Sequence, residues 1–193
     1  MNCLNKCYFV AVISEINEEY ILSSGIQRPI IKAKCFDSDD NISEIMLVFS
    51  NVNQIKRAGS LKIGDVINFS AKISECPKDN YIFYPENIFQ IKKCVVKFEQ
   101  PTDRLIETRL VQFKTESNIV LFSGQYKCKS KNKVCIVIDN DNYTRGDTHE
   151  EYHIWVTATN DIDNIKGFVS FVGEVKGTDI VGQVFEVKRK KEK

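Results

Sequence analysis

The stretch Leu61-Lys62-Ile63-Gly64-Asp65-Val66-Ile67-Asn68-Phe69-Ser70-Ala71-Lys72-Ile73 carries the strongest structural signal in the chain. Its Gly64-Asp65 pair predicts a turn, because glycine reaches positive φ freely and an aspartate side chain can bond nearby backbone. After the turn, apolar and polar residues alternate with a period of two, which is typical of a strand with one face in a core. The predicted inward row is Ile67, Phe69, Ala71 and Ile73.

The composition is that of an ordinary globular protein, with 193 residues of which 42% are hydrophobic and 27% charged. No run approaches the roughly 18 apolar residues that a membrane helix requires. The N-terminus lacks the apolar core of a signal peptide. We therefore expect an intracellular protein with no membrane partner, in the cytoplasm or nucleoid, or in the nucleus of a eukaryote. The net charge is +1, so any affinity for nucleic acid must come from local clusters of lysine and aromatic residues.

The sequence lacks the common signatures of metal sites and enzymes. Its seven cysteines and two histidines include no Cys-x-x-Cys and no zinc-like spacing, which favours reduced thiols, with Cys35 and Cys135 as small core residues. The run 139–142 suggests a calcium loop, but Thr144 stands where that loop needs glycine. There is no Walker loop, dinucleotide fingerprint or G-x-S-x-G. We expect no metal, no cofactor and no enzymatic activity.

Five strands are predicted in the first half, with a short helical turn at 51–57 after the third. The predicted strands are 8–14 (extending toward 22), 30–36, 45–49, 66–73, and 81–84 together with 88–91. A polar turn at 37–41 separates the second strand from the third. This element order fits one complete barrel over about residues 5–97.

The segment 101–117 breaks the strand rhythm. Its apolar residues recur at helical spacing, namely Leu105, Ile106, Leu110, Val111 and Phe113. With Thr102 as N-cap, the pattern predicts an amphipathic helix over 102–113. We expect its apolar stripe to pack on the barrels of the same chain; the alternative is that it docks a protein partner.

The second half repeats this plan in element order. The predicted strands are 118–122 (interrupted at Gly124), a hairpin with its tip in 126–133, then 134–138, 152–157, 168–175 and 183–187. The polar segment 160–167 resembles 51–56 in composition and position. Residue identity between the halves is low. We predict a mainly β chain of two five-stranded barrels, with domains at 1–98 and 118–193 and a connecting helix within 99–117.

The run L-x-x-G-D followed by an alternating strand, at 61–73, resembles the entry to the fourth strand of an OB fold, a five-stranded Greek-key barrel. In element order the whole chain resembles tandem OB-fold proteins of the replication protein A and single-strand binding type. The resemblance implies binding of single-stranded DNA or RNA by stacking and phosphate neutralisation. In such barrels the surface of strands two and three, with its flanking loops, normally carries the site.

In the first barrel, the outer face of the second strand carries Lys32, Lys34 and Phe36. The alternative is that these residues form an ordinary solvent-exposed strand face without a ligand. Near the predicted fourth-to-fifth loop lie three aromatic residues, Tyr81, Phe83 and Tyr84, of which alternation exposes either the first two or the third. Lys56 and Arg57 could reach a phosphate, although an exposed helix end explains them equally well.

In the second barrel, the candidate residues are Tyr126, Lys127, Lys129, Lys131, Lys133 and Trp155. Four lysines alternating through one hairpin repel each other, which is easier to tolerate if an anion is the partner; the alternative is a solvated charge run. Trp155 is either a stacking platform or a core residue. The tail carries Lys188, Arg189 and Lys190, for which there are three interpretations: contact with phosphates, a nuclear localisation signal, or a role in keeping the C-terminus soluble. Bacterial single-strand binding proteins usually end in an acidic tail, and this chain departs from that.

These observations predict a protein that binds single-stranded nucleic acid, with DNA favoured, in replication, repair or recombination. The alternative is a non-enzymatic accessory subunit of a replication, primase or telomere-type complex, bound to protein partners through the 102–113 helix. A carbohydrate-binding barrel is a third interpretation with little support beyond the fold.

Overall fold

The computed structural model describes residues 4–21, 27–49, 53, 56, 58–74, 81–92, 106, 110–111, 118–139 and 151–187. The described part is mainly β. The first half contains β1 (Asn5–Ile21), β2 (Gln27–Phe36), β3 (Ile42–Val48), β4 (Val66–Ser74) and β5 (Ile82–Lys92). The second half contains β6 (Asn118–Ser130), β7 (Lys133–Asp139), β8 (Glu151–Ala158), β9 (Phe168–Lys176) and β10 (Asp179–Glu186).

The strand pairings of the first half form a closed five-stranded ring in the order β1-β2-β3-β5-β4, with β4 returning to β1. Every pairing in the ring is antiparallel except that between β3 and β5. The second half pairs in the same order, β6-β7-β8-β10-β9, and β9 returns to β6. Here too the third and fifth strands, β8 and β10, are parallel. The prediction of a mainly β protein with a closed five-stranded barrel is confirmed.

The 61–73 stretch adopts the turn and strand that its residues predict. Gly64 has a φ of 88°, a conformation that residues with a Cβ rarely adopt. Its N–H donates to the Ile13 carbonyl at 2.8 Å, and the Ile13 N–H donates to the Asp65 carbonyl at 2.9 Å. The Asp65 carboxylate accepts the Lys62 N–H at 2.9 Å. The predicted inward row of β4 is buried throughout, so the turn fixes how β4 enters its pairing with β1.

Replacing Gly64 with alanine is expected to lower the free energy of unfolding by about 1–2 kcal/mol, because the added Cβ disfavours the left-handed region that this turn requires. Urea denaturation measures the change. Lys131 provides a control of opposite sign, since it already holds a φ of 56°. Lys131→Gly should leave stability unchanged or raise it, and an equal loss in both variants would contradict the assignment.

Two strands contain glycines at which the sequence predicts an interruption or a later start, and close backbone approach explains both glycines. β6 continues through Gly124 because β7 passes directly over it, so that an added Cβ would lie 2.1 Å from the Val137 carbonyl oxygen. β10 begins at Asp179 rather than 183, and its Gly182 is opposite Gly173 of β9. These glycines allow strand contact, whereas sequence patterning treats glycine as a breaker.

The two halves join edge to edge through β1 and β6, which pair antiparallel about Cys7 and Val120. Because Asn5 is opposite Phe122 and Phe9 is opposite Asn118, the junction has approximate twofold symmetry. The pairing produces one ten-stranded sheet, and buried residues of both halves form one contiguous core. The division at residues 98 and 118 stays a prediction.

The approximate symmetry extends to individual residues, which sequence comparison of the halves did not reveal. Phe9 stacks on Phe69 with ring centroids 5.3 Å apart, and Phe122 stacks on Phe171 at 5.0 Å. The Asn5 side chain exchanges two hydrogen bonds of 2.9 Å with the backbone of Ile73. Asn118 forms the same pair with Val175. Each asparagine therefore ties the start of one barrel strand to the end of another.

A second set of contacts between the halves connects the β2–β3 turn to β9. The N–H and hydroxyl of Ser38 both donate to the Glu174 carboxylate, at 2.7 and 2.5 Å. Lys176 donates a hydrogen bond to the Asp39 carboxylate at 2.7 Å. This hydrogen bond is the main reason that the pKa of Lys176 is raised. These bonds hold the β2–β3 turn against β9.

Within 101–117 the structure describes only Ile106, Leu110 and Val111. The side chains of Ile106 and Leu110 are buried in a cluster with Val12 and Val66, whereas Val111 is exposed. Ile106 and Leu110, two residues of the predicted apolar stripe, therefore pack against the barrel of the same chain, as the sequence predicts. The helix at 102–113 stays a prediction, and so does the helical turn at 51–57, most of which lies outside the described residues.

The described cysteines Cys7, Cys35, Cys128 and Cys135 are free thiols. The prediction that Cys35 and Cys135 are buried is confirmed. Burial raises the pKa of Cys7 and of Cys35 to about 12. In the ranges given above, no group of histidine, cysteine and acidic side chains could hold a metal ion. The same ranges hold no helix with the length and apolar character needed to cross a membrane.

Candidate nucleic-acid interface

The outer face of β2 offers less to a nucleic acid than the sequence suggests. Lys32 forms an ion pair with Glu15 at 2.9 Å, and Lys34 stands opposite Glu44 in the β2–β3 register. Phe36 is half-buried against the cluster that contains Ile106 and Leu110. The face therefore carries compensated charge, and its aromatic ring is committed to packing.

The aromatic residues at the start of β5 require a correction. Tyr81 is buried, and Phe83 is 0% exposed, edge-on to Phe9 with ring centroids 4.8 Å apart. Burial raises the pKa of the Tyr81 hydroxyl. A ring with no open face cannot stack on a base, so these two residues leave the candidate interface. Alternation places Tyr84 on the other side of the strand, half-buried against an apolar cluster that includes Ile82.

Several predicted cations cannot be assigned to a binding surface. Lys56 is exposed, but the residues on either side of it lie outside the described part of the chain. Arg57 lies outside those residues, as do Lys188, Arg189 and Lys190 of the tail. Their proposed contacts with phosphate stay predictions.

The β6–β7 hairpin reverses at Lys131 and Asn132, within the segment predicted to hold its tip. All four of its lysines are exposed: Lys127, Lys129, Lys131 and Lys133. A register shift between Tyr126 and Cys128 falls at Lys127 and interrupts the alternation that the sequence predicts. Tyr126 is half-buried against the core, so the surface of this hairpin is formed mainly by lysine rather than by an aromatic ring.

Three of the hairpin lysines have partners within the chain. Lys129 bonds the Asp163 carboxylate and Lys133 bonds the Asp179 carboxylate at 2.9 Å. The Lys127 ammonium lies 3.0 Å from Nε2 of His153. The hydrogen bond between Lys129 and Asp163 raises the lysine pKa and lowers the carboxyl pKa. The repulsion expected within the hairpin is thus offset by acids from the loop before β9 and from the start of β10.

Trp155 is the exposed aromatic residue of this face. It lies on β8 between the buried residues Ile154 and Val156, and it is itself 42% exposed. Alternation therefore turns it outward, and the core interpretation of Trp155 is excluded. Its register partner on β7 is Cys135, whose own partner on β6 is Cys128. These three residues form a row across β6, β7 and β8 on the side away from the core, in which Cys128 and Trp155 are exposed and Cys135 between them is covered.

A small pocket lies beside Trp155. It is lined by Tyr81, Lys133, Trp155, Thr178, Asp179 and Ile180. Residues from both halves of the chain meet there, since Tyr81 immediately precedes β5 and the others come from β7, β8, the β9–β10 turn and β10. The pocket therefore places an indole ring and a lysine at one site. The outer face of β7 and β8, with this pocket and the adjoining Lys127 and Lys133, is called the Trp155 face below. Lys129 is the register partner of the core residue Val134 and therefore lies on the other side of the hairpin.

Sequence reasoning did not identify Asp163 and Asp179 as part of this region. Asp163 lies in the loop before β9 and Asp179 at the start of β10, 34 and 46 residues along the chain from the lysines they contact, and no periodic pattern marks them. The same holds for the Cys128–Cys135 pair, because strand register is needed to bring the two residues together.

Comparison with known proteins shows a fold and no sequence family. No family model matches the sequence, and no curated protein matches it either. The chain resembles the single-stranded DNA binding protein from Thermus aquaticus, with a TM-score of 0.59 and 11% identity over 100% of this chain and 97% of that chain. A deletion mutant of that protein gives 0.57 and 10% identity, covering 97% and 96%. PriB from Ralstonia solanacearum, at 0.36 and 11% identity, covers 46% of this chain and 99% of its own.

The likeness to the Thermus aquaticus structure extends over both halves of the chain. At this level of identity it establishes the fold alone. Together with the closed strand order it confirms the assignment of an OB-fold β barrel. The more specific resemblance to the replication protein A type stays a prediction.

Proposed function

We propose that the protein binds single-stranded DNA through tandem OB folds, with the Trp155 face as the principal contact surface. The observation that carries the proposal is the exposure of Trp155 on the third strand of the second barrel. In OB folds the second and third strands normally form the binding surface, and β7 and β8 hold those positions here. The fold shared with a single-stranded DNA binding protein supports the same conclusion.

Binding is non-covalent, and its free energy has two contributions, base stacking and phosphate neutralisation. A base stacks on the indole of Trp155, which contributes about 1–3 kcal/mol per base. The neighbouring lysines neutralise phosphates and release counterions, so affinity falls as salt rises. Because Lys129 and Lys133 are already paired with carboxylates, each must exchange an acid for a phosphate. Each of these paired lysines therefore contributes less to the free energy of DNA binding than an unpaired lysine would.

The two barrels contribute unequally under this proposal. The Trp155 face is open, whereas the equivalent face of the first barrel is occupied by Phe36 packing and by the Lys32–Glu15 pair. We expect the bound DNA strand to run across the second barrel, toward the pocket beside Trp155. Tyr81 of the first barrel forms one wall of that pocket. The function is assigned to replication, repair or recombination inside the cell, and no covalent chemistry is expected.

Neutralising the hairpin should weaken binding across all sequences. A variant with Lys127, Lys129, Lys131 and Lys133 replaced by glutamine is expected to reduce the slope of log K against log salt by about 0.7 for each lysine that contacts a phosphate. Fluorescence anisotropy of labelled single- and double-stranded oligonucleotides at several salt concentrations measures this. Unchanged binding would remove the hairpin from the interface.

A matched pair of acid variants tests the exchange from the other side. Asp163→Asn with Asp179→Asn frees two lysines without altering the size of any side chain. Affinity for single strands at low salt should rise, and the salt dependence should steepen by up to about 0.7 per lysine released. A fall in affinity would show that the ion pairs hold the lysines in their binding positions instead.

A second candidate function is that of an accessory subunit, which the exposed apolar residues of the junction favour. Tyr8 of β1 and Ile119 of β6 are register partners, and each is 39% exposed. With Leu4, which is 41% exposed, they place three exposed apolar side chains at the junction, and contiguous exposed apolar surface marks sites of protein contact. Solution mass and co-purification separate the candidates, because salt-dependent single-strand binding by a monomer supports the first and binding only to protein supports the second.

A further inference from the structure

Two free cysteines face each other across the β6–β7 hairpin. Cys128 and Cys135 are direct register partners in antiparallel strands. Directly opposite residues have Cα atoms about 4.5–5.5 Å apart and side chains on the same face. Disulfides span Cα separations of about 4.4–6.8 Å. The strand register thus holds this pair within bridging distance.

The two thiols differ in access, and the difference assigns their roles. Cys128 is exposed, whereas Cys135 is 2% exposed. A dissolved oxidant reaches the first thiol directly and the second only through the first. The other described cysteines, Cys7 and Cys35, are buried in the core away from this face. In the described part of the chain, Cys128 is therefore the point of attack and Cys135 is the resolving thiol.

We propose that Cys128 and Cys135 form a redox modification site that a low-molecular-weight disulfide, such as oxidised glutathione, converts to an intramolecular disulfide. The Cys128 thiolate attacks one sulfur of the small disulfide, forming a mixed disulfide and releasing one thiol. Cys135 then loses its proton and attacks the Cys128 sulfur, which releases the second thiol. Two protein thiols are oxidised and one small disulfide is reduced to two thiols, so the step balances.

The modification acts on the Trp155 face. Cys135 is the register partner of Trp155, so the new bond forms in the row that holds the indole. It also clamps the hairpin that presents the lysines. Because Cys128 is exposed, a reductant reaches the bond directly, and exposed disulfides are the more easily reduced ones, which suits a reversible change. The disulfide forms whether or not the protein binds DNA, so its test does not depend on the proposed function.

The experiment uses the full chain in which Cys3, Cys76 and Cys94, which lie outside the described residues, are replaced by serine. After exposure to oxidised glutathione, intact mass should fall by two hydrogen atoms and return when reductant is added. Trypsin cleaves after Lys129, Lys131 and Lys133, so it separates the two cysteines onto different peptides. The expected product is a linked pair of peptides that contain Cys128 and Cys135.

Two single variants make the result decisive. Cys128→Ser should abolish the reaction, and Cys135→Ser should accumulate a glutathione adduct at Cys128. Because Cys135 is buried, Cys135→Ala serves as a second variant in the event that serine prevents folding. The emission of Trp155, the sole tryptophan, should fall on oxidation and recover on reduction. A stable adduct on the parent protein, or a link to Cys7 or Cys35, would overturn the proposal.

Discussion

Replacing Trp155 with alanine is expected to lower the affinity for single-stranded DNA by about 10- to 100-fold, because one stacked base contributes about 1–3 kcal/mol and each 1.4 kcal/mol is about tenfold. The indole is 42% exposed and its strand neighbours Ile154 and Val156 supply the core contacts. The substitution should therefore leave the fold intact. Anisotropy titration with a labelled oligonucleotide measures the loss, and circular dichroism checks the fold.

The matched control is Trp155→Phe, which keeps an aromatic face of smaller area. It should retain most of the affinity, since stacking tolerates any ring with an open π-face. Quenching of Trp155 emission by added oligonucleotide gives direct evidence of contact in the unaltered protein. If Trp155→Ala binds as tightly as the parent while the hairpin lysine variant does not, stacking at this site is refuted and an electrostatic interface remains.

Replacing Asn118 with alanine is expected to lower the free energy of unfolding by about 3 kcal/mol. The Asn118 amide donates to the Val175 carbonyl at 2.9 Å and to the Phe36 carbonyl at 3.2 Å, and it accepts the Val175 N–H at 3.0 Å. The residue is only 7% exposed. Alanine leaves these backbone groups without partners, and each buried unsatisfied group costs about 1–3 kcal/mol. Guanidinium denaturation measures the change.

The internal repeat supplies the control for this prediction. The Asn5 side chain forms the same two bonds with Ile73, which belongs to the same half of the chain, and the residue is only partly buried. Asn5→Ala should therefore cost less, about 1 kcal/mol, because water can replace part of what is lost. Equal losses in the two variants would mean that the Asn118 bond to Phe36 adds nothing to the junction of the halves.

The asymmetry between the barrels bears on how such a chain could work. The strand pairings repeat, and so do the stacked phenylalanines and the asparagine pairs. The outer surfaces do not repeat, because packing by Ile106 and Leu110 covers part of one and leaves Trp155 open on the other. Under the proposed function, the second barrel therefore offers the more open surface to a ligand.

Alternation in the sequence predicted the rows of β2 and β4 correctly. Ile31, Ala33 and Cys35 of β2 are buried as expected, and the Gly64-Asp65 turn forms as its chemistry requires. These features depend on neighbours in the chain, where backbone geometry and side-chain period act over a few residues. The order of elements along the chain also follows from such local signals, whereas the closed barrel was predicted from the resemblance of that order, and of 61–73, to OB-fold proteins.

The sequence by itself determined the strands and the principal turn, because each depends on residues within a few positions of one another. The barrel was predicted from the resemblance to OB-fold proteins, and its closure joins distant residues such as Tyr8 and Ser70. Only the tertiary structure decided that Phe83 is inside and Trp155 outside, because a period of two defines two faces without stating which is covered. It also decided that Asp163 and Asp179 neutralise lysines far away in the chain. The charge of a surface depends on which distant side chains the fold brings to it.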